Sequence, residues 1–103
     1  MDLSKMQDML SQATAMREQM EQRLAATIVE ATSGGGAVSV RMNGKKELLK
    51  LTIAPAAASA ATSDITMLED LIVAAINAAG RKADDAMQSS AAGLLGGLNL
   101  PGL

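Results

Sequence analysis

The 103-residue chain has no Phe, Trp or Tyr, no Cys and no His. Aromatic side chains bury the most area per residue, so a core restricted to Ala, Val, Ile, Leu and Met is thin. One domain near the small end of self-sufficient folding is expected, with part of its apolar surface buried against a second copy of the chain. Lack of Cys removes disulfides and thiol chemistry; with His missing too, most transition-metal sites and every His-based triad are excluded. No stretch approaches the roughly 20 apolar residues of a membrane-spanning helix. The N-terminus carries Asp2 and Asp8 without an uninterrupted apolar run, unlike a signal peptide. A soluble intracellular protein is therefore the expectation. Absent aromatics also remove the base-stacking platforms of single-strand and RNA-recognition modules. Duplex DNA held through phosphates needs only Lys, Arg and polar groups, and stays open.

Positive charge is scarce as well, with 9 Lys and Arg against 11 Asp and Glu and a net charge of −2. It is unevenly spread: residues 1–33 sum to −2, residues 34–63 to +3 and residues 64–103 to −3. A basic centre between acidic flanks is not the footprint of a strongly basic DNA binder. The field near a patch nevertheless depends on arrangement, and a dimer presents every cation twice.

What the chain does contain begins with a hairpin. Val38, Val40 and Met42 alternate with Ser39 and Arg41, and Leu49, Leu51 and Ile53 alternate with Lys50 and Thr52. That is the period of two of half-buried strands. Asn43-Gly44 between them reads as a two-residue type I′ turn, with Lys45 and Lys46 beside it and Arg41 and Lys50 as solvated strand residues. The β-branched Thr27, Ile28, Val29 and Thr32 predict a first strand. The triple glycine Gly34–Gly36 is a reversal rather than a phosphate loop, since it lacks a GK[ST] ending and precedes a strand. Strands are expected over 26–33, 37–43 and 47–53.

Helices flank the sheet. Leu3, Met6, Leu10, Ala13, Met16, Met20 and Leu24 recur at spacings of three and four and predict a helix over 2–25. At about 1.5 Å per residue it is longer than a small sheet can cover, so its far end must project or pair. Its methionines suit an adaptable packing seam, and Leu3, Met6, Leu10, Ala13, Met16 and Met20 are the candidate dimer interface. After Ala54-Pro55 an alanine tract gives a loop or short helical turn. Ser63 or Asp64 caps a second long helix, expected over 64–90 with a broad apolar face from Ile65 to Met87. A single domain over 1–92 is followed by a mobile, Gly- and Leu-rich tail over 93–103.

Catalytic groups are few. Glu69-Asp70 and Asp84-Asp85 are sequential pairs that diverge on a helix, and no loop gathers oxygen ligands for Mg²⁺ or Ca²⁺. No enzyme activity, metal or cofactor is expected. A protein-binding adaptor using the Met-rich first helix is the alternative to DNA binding, and the pI of about 4.9 favours it mildly.

The order of elements, with Val38-Ser39-Val40-Arg41-Met42-Asn43-Gly44, Ile53-Ala54-Pro55, Met67-Leu68-Glu69-Asp70-Leu71 and the ending Leu98-Asn99-Leu100-Pro101-Gly102-Leu103, resembles the YbaB/EbfC nucleoid-associated proteins. The resemblance covers nearly the whole chain. It implies an α+β fold and a bacterial, tweezer-like, intertwined homodimer, whose helical arms hold double-stranded DNA in the nucleoid. DNA contacts inherited by this sequence would be Lys5, Arg17 and Arg23 on the first helix and Arg81 and Lys82 on the last. Lys45 and Lys46 would add attraction from the hairpin turn.

Overall fold

A computed structural model describes residues 2–97. Its first element, α1 (Leu3–Ala26), opens on Asp2, whose carboxylate accepts from the Ser4 N–H at 3.0 Å. The Gln, Glu, Met, Leu and Ala content supports helix. The β-branched run from Thr27 ends it, and the Thr27 hydroxyl donates to the Arg23 carbonyl at 2.7 Å. Three strands follow: β1 (Ile28–Ser33), β2 (Val38–Asn43) and β3 (Leu48–Ile53), antiparallel in the order β1-β2-β3. Then come α2 (Pro55–Ala60), with Pro at its first turn, and α3 (Ile65–Gly97). The Asp64 carboxylate caps α3 by accepting from the Met67 N–H at 3.0 Å. The expected α+β succession of long helix, three-stranded antiparallel sheet and long helix is what the chain forms. Strand ends and the ends of α1 sit one or two residues from their sequence-based positions, as does the start of α3.

The register sorts the sheet into two faces. Towards α3 point Ser33, Val38 and Ile53, then Ala31, Val40 and Leu51, then Val29 and Met42. A register shift between Arg41 and Met42 interrupts the alternation of β3 at Leu48 and Leu49, which are both exposed. Towards solvent point Thr32, Ser39 and Thr52, then Glu30, Arg41 and Lys50. The core joins Ala31, Val38, Val40 and Met42 to Leu68, Ala75, Ala79 and Ala83 of α3. The three alanines recur every four residues and let α3 lie close on the sheet without aromatic bulk. The Ser33 hydroxyl fastens the two layers by donating to the Leu71 carbonyl at 2.6 Å. Because α3 crosses β1 and β2, Leu48 of the outer strand stays exposed and Leu51 and Ile53 stay half-buried.

Two turns connect the strands. Gly34, Gly35 and Gly36 all take positive φ (60°, 67° and 99°), the left-handed region that favours glycine. The second turn corrects the two-residue expectation. It holds three residues, Gly44–Lys46, and the residue with positive φ is Lys46 (66°). Asn43 and Glu47 close it through the Asn43 N–H and the Glu47 carbonyl at 3.0 Å. This is the three-residue hairpin loop that ends in a left-handed residue. Asn43 is buried, and its Oδ1 accepts from the N–H groups of Lys45 and Glu47 while its Nδ2 donates to the Glu47 carboxylate at 2.8 Å. Gly44 serves another purpose. Its N–H donates to the Leu24 carbonyl at 2.8 Å, and a Cβ there would lie 2.9 Å from that oxygen.

Helix α3 also departs from expectation. It continues to Gly97, so residues 93–97 of the expected tail are helical; residues 98–103 lie outside the described residues. The glycines at 93, 96 and 97 each disfavour helix by about 1 kcal/mol relative to Ala. The intervening Ala and Leu are strong helix formers, and the nearest helix-breaking proline, Pro101, comes later. The molecule measures 70 × 32 × 17 Å with a radius of gyration of 20.0 Å, against about 13 Å for a compact chain of this length. Its long helices make it elongated.

Candidate nucleic-acid interface

Every charged side chain among residues 2–97 is exposed. The cations singled out in the sequence fall into an arm, a junction and an edge. On α1, only Leu24 is buried, and the helix stands away from the sheet over most of its length. Lys5 and Arg17 lie on this arm, about 27 and 9 Å along the helix from Arg23 at its base. The Gly44–Leu24 hydrogen bond brings the base of α1 against the hairpin turn. Lys46, in turn, lines one cleft with Arg81 and Asp84 of α3. The structure thus gathers the Arg23 end of α1, Lys45, Lys46 and Arg81 around one junction, and leaves Lys5 and Arg17 outside it.

Two of the seven cations are engaged. The Lys46 ammonium pairs with Asp84 at 3.5 Å, and both are about half exposed. Such a surface pair contributes at most about 1 kcal/mol, but it offsets part of the Lys46 field. The Lys82 ammonium donates to the Glu30 carbonyl at 2.7 Å and so pins α3 to the free edge of β1. Arg81, three and four residues before Asp84 and Asp85 and so within helical reach of both, forms no ion pair within 4.0 Å among the described residues. Asp84 is instead taken by Lys46, which the hairpin turn delivers from 38 positions away. Neither that contact nor the Lys82–Glu30 one has a local sequence signal.

Arg17 is the residue whose position the sequence reading left out of the stripe. Leu3, Met6, Leu10, Ala13, Arg17, Met20 and Leu24 follow spacings of 3, 4, 3, 4, 3 and 4 without a break. Arg17 therefore shares a face with the apolar residues, in the manner of a single polar residue within a coiled-coil seam. Counting the spacing would have found it. On that face Leu3, Met6, Leu10 and Met16 are all exposed, Leu3 at 74% and Leu10 at 66%, Ala13 is exposed and Met20 is half-buried.

Exposed cations on a projecting helix, a turn and a second helix suit an extended polyanion, and among the described residues no charged side chain is buried. Such a chain is a small α+β binding protein. Its relatives agree. The sequence pattern of the YbaB/EbfC DNA-binding family matches residues 1–98. The chain is 70% identical to a nucleoid-associated protein of Acidobacterium capsulatum, over 94% of this chain and 93% of that protein. It is 43% identical to a nucleoid-associated protein of Koribacter versatilis, over 92% of each. A crystal structure of an uncharacterised Helicobacter pylori protein superposes with a TM-score of 0.74 at 27% identity, over 92% of this chain and 98% of that one. The chain belongs to the YbaB/EbfC DNA-binding family, a family of nucleoid-associated proteins and not of enzymes.

Proposed function

We propose that the protein is a homodimer that holds double-stranded DNA through its phosphates, with little sequence preference, and so helps organise the nucleoid or regulate genes in the bacterial cytoplasm. The observation that carries this reading is the exposed stripe of α1: a lone chain leaves Leu3, Met6, Leu10 and Met16 in water. Exposed apolar patches of this kind mark interaction surfaces. A second copy covers them and doubles the cations.

Lys5, Arg17, Arg23, Lys45 and Arg81 are the principal phosphate contacts, because no carboxylate among the described residues lies within 4.0 Å of their charged groups. Lys46 contributes less while Asp84 holds it, and Lys82 acts mainly as an anchor. Lysine and arginine on phosphates position a duplex without reading its bases. The absence of aromatic residues leaves no stacking platform for single strands.

A mobility-shift titration of duplex DNA over salt tests this. Retardation near 20–50 mM salt is expected, where screening is weak. With about six to ten contacts, affinity should fall by about 10³–10⁵ between 50 and 200 mM salt. Absence of any shift at low salt would overturn DNA binding and favour a protein-binding adaptor built on the same helix.

A further inference from the structure

We infer that the solvent face of the sheet is an additional phosphate-binding surface, centred on Lys50 and Arg41, on which the DNA backbone rests between the arms. This deepens the proposed function and rests on it. Arg41 and Lys50 are direct cross-strand partners, and Glu30 is the partner of Arg41 on the other side. One row across all three strands therefore reads Glu30, Arg41, Lys50. The next row on the same face reads Thr32, Ser39, Thr52, three hydroxyls able to donate to phosphate oxygens.

Like charges placed directly opposite on a sheet destabilise it. Glu30 relieves only one of the two: its carboxylate sits 2.8 Å from Arg41 Nε. Among the described residues no carboxylate lies within 4.0 Å of the Lys50 ammonium. Directly opposed residues have Cα atoms about 5 Å apart, so both cationic heads can reach one phosphate, which removes their mutual repulsion. The anion supplies the partner that the fold withholds.

The location favours the DNA backbone over a small free anion. Arg41 and Lys50 belong to the same hairpin as Lys45 and Lys46, the segment whose charge sums to +3. Cations run from the turn along the strands to the middle of the sheet. At the β1 edge of the same row, the Lys82 ammonium bonds to the Glu30 carbonyl. Asp84 and the Glu30 carbonyl hold Lys46 and Lys82 towards α3. An elongated polyanion on the solvent face can therefore join Arg41 and Lys50 to Lys45 at the turn; a single phosphate meets two.

Salt-dependent titration of a fluorescent duplex with the full-length protein tests the inference. Each phosphate contact contributes about 0.9 to the slope of log affinity against log salt, about eightfold in affinity for a tenfold change in salt. Lys50→Gln should lower the slope by about one for each copy that engages, and Lys50→Arg should restore it. Thermal melting of Lys50→Gln should be unchanged or raised, since the repulsion with Arg41 is gone. In the wild-type protein, bound duplex should also shield the Lys50 amine from an acetylating reagent, a readout that needs no variant. Unchanged slope in Lys50→Gln together with unshielded Lys50, while Arg17→Gln or Lys45→Gln still weakens binding, would overturn this surface and leave the arms in place. Inorganic phosphate shielding Lys50 where duplex does not would also overturn it. Failure of the wild-type protein to bind duplex at any salt would remove the wider proposal along with this one.

Discussion

Two glycines show how differently the same residue type is used. Gly44 sits where the hairpin turn meets α1, and an added Cβ would lie 2.9 Å from both the Leu24 carbonyl oxygen and a Leu24 methyl. Gly80 is buried on α3, yet an added Cβ would meet only the Lys46 side chain, at an ordinary 3.6 Å. Gly44→Ala should therefore destabilise by about 1–3 kcal/mol through overpacking. Gly80→Ala should stabilise by about 0.5–1 kcal/mol through helix propensity. Thermal denaturation reads both, at about 4–8 °C per kcal/mol for a domain of this size. Equal and opposite shifts are not required; opposite signs are. The dipeptide Asn43-Gly44 marks a turn in the sequence, but it does not disclose which turn. Asn43 organises the loop with its buried side chain, Lys46 takes the left-handed conformation, and Gly44 is needed for a neighbour 20 positions earlier.

At the scale of elements, periodicity made most of the fold legible. Strands β2 and β3 alternate, and α1 and α3 carry apolar stripes, so the chain order and the sheet follow from the sequence with small shifts at the ends. Less legible were the features that depend on distant parts of the chain. The Lys46–Asp84 pair and the Lys82–Glu30 anchor join segments 38 and 52 residues apart, and no spacing rule connects them. Among the candidate contacts this separates the cations without a partner from those already held.

Helix α1 supports a sharper expectation, because Arg17 lies on the face proposed as the dimer seam, where an apolar residue would pack better. A single polar seam residue lowers the stability of an assembly while fixing its register. Arg17→Leu should tighten self-association and weaken duplex binding in the same protein, whereas Leu10→Glu should loosen self-association. Analytical ultracentrifugation and duplex titration measured in parallel distinguish the two directions. Weaker self-association of Arg17→Leu would show that the arginine stands outside the interface.

For the whole molecule, shape and charge act together. With a radius of gyration of 20.0 Å and a long axis of 70 Å, the arm cation Lys5 is remote from the junction around Lys46 and Arg81. At about 10 Å Debye length in 0.1 M salt, each group of cations acts locally. In the proposed complex the net charge of −2 therefore would not set the affinity; the number of phosphates touched at once would. One copy offers few contacts and an uncovered helix face. In the proposed dimer, two copies related by symmetry would offer twice the contacts and hide that face.

The most direct measurement is the mass of the purified protein in solution at micromolar concentration, by light scattering. A value of about 21 kDa, twice the 10.5 kDa chain, is expected, with dissociation in Leu10→Glu. A well-folded species of 10.5 kDa would contradict it: the exposed stripe of α1 would then need another partner, and the paired arms would not exist.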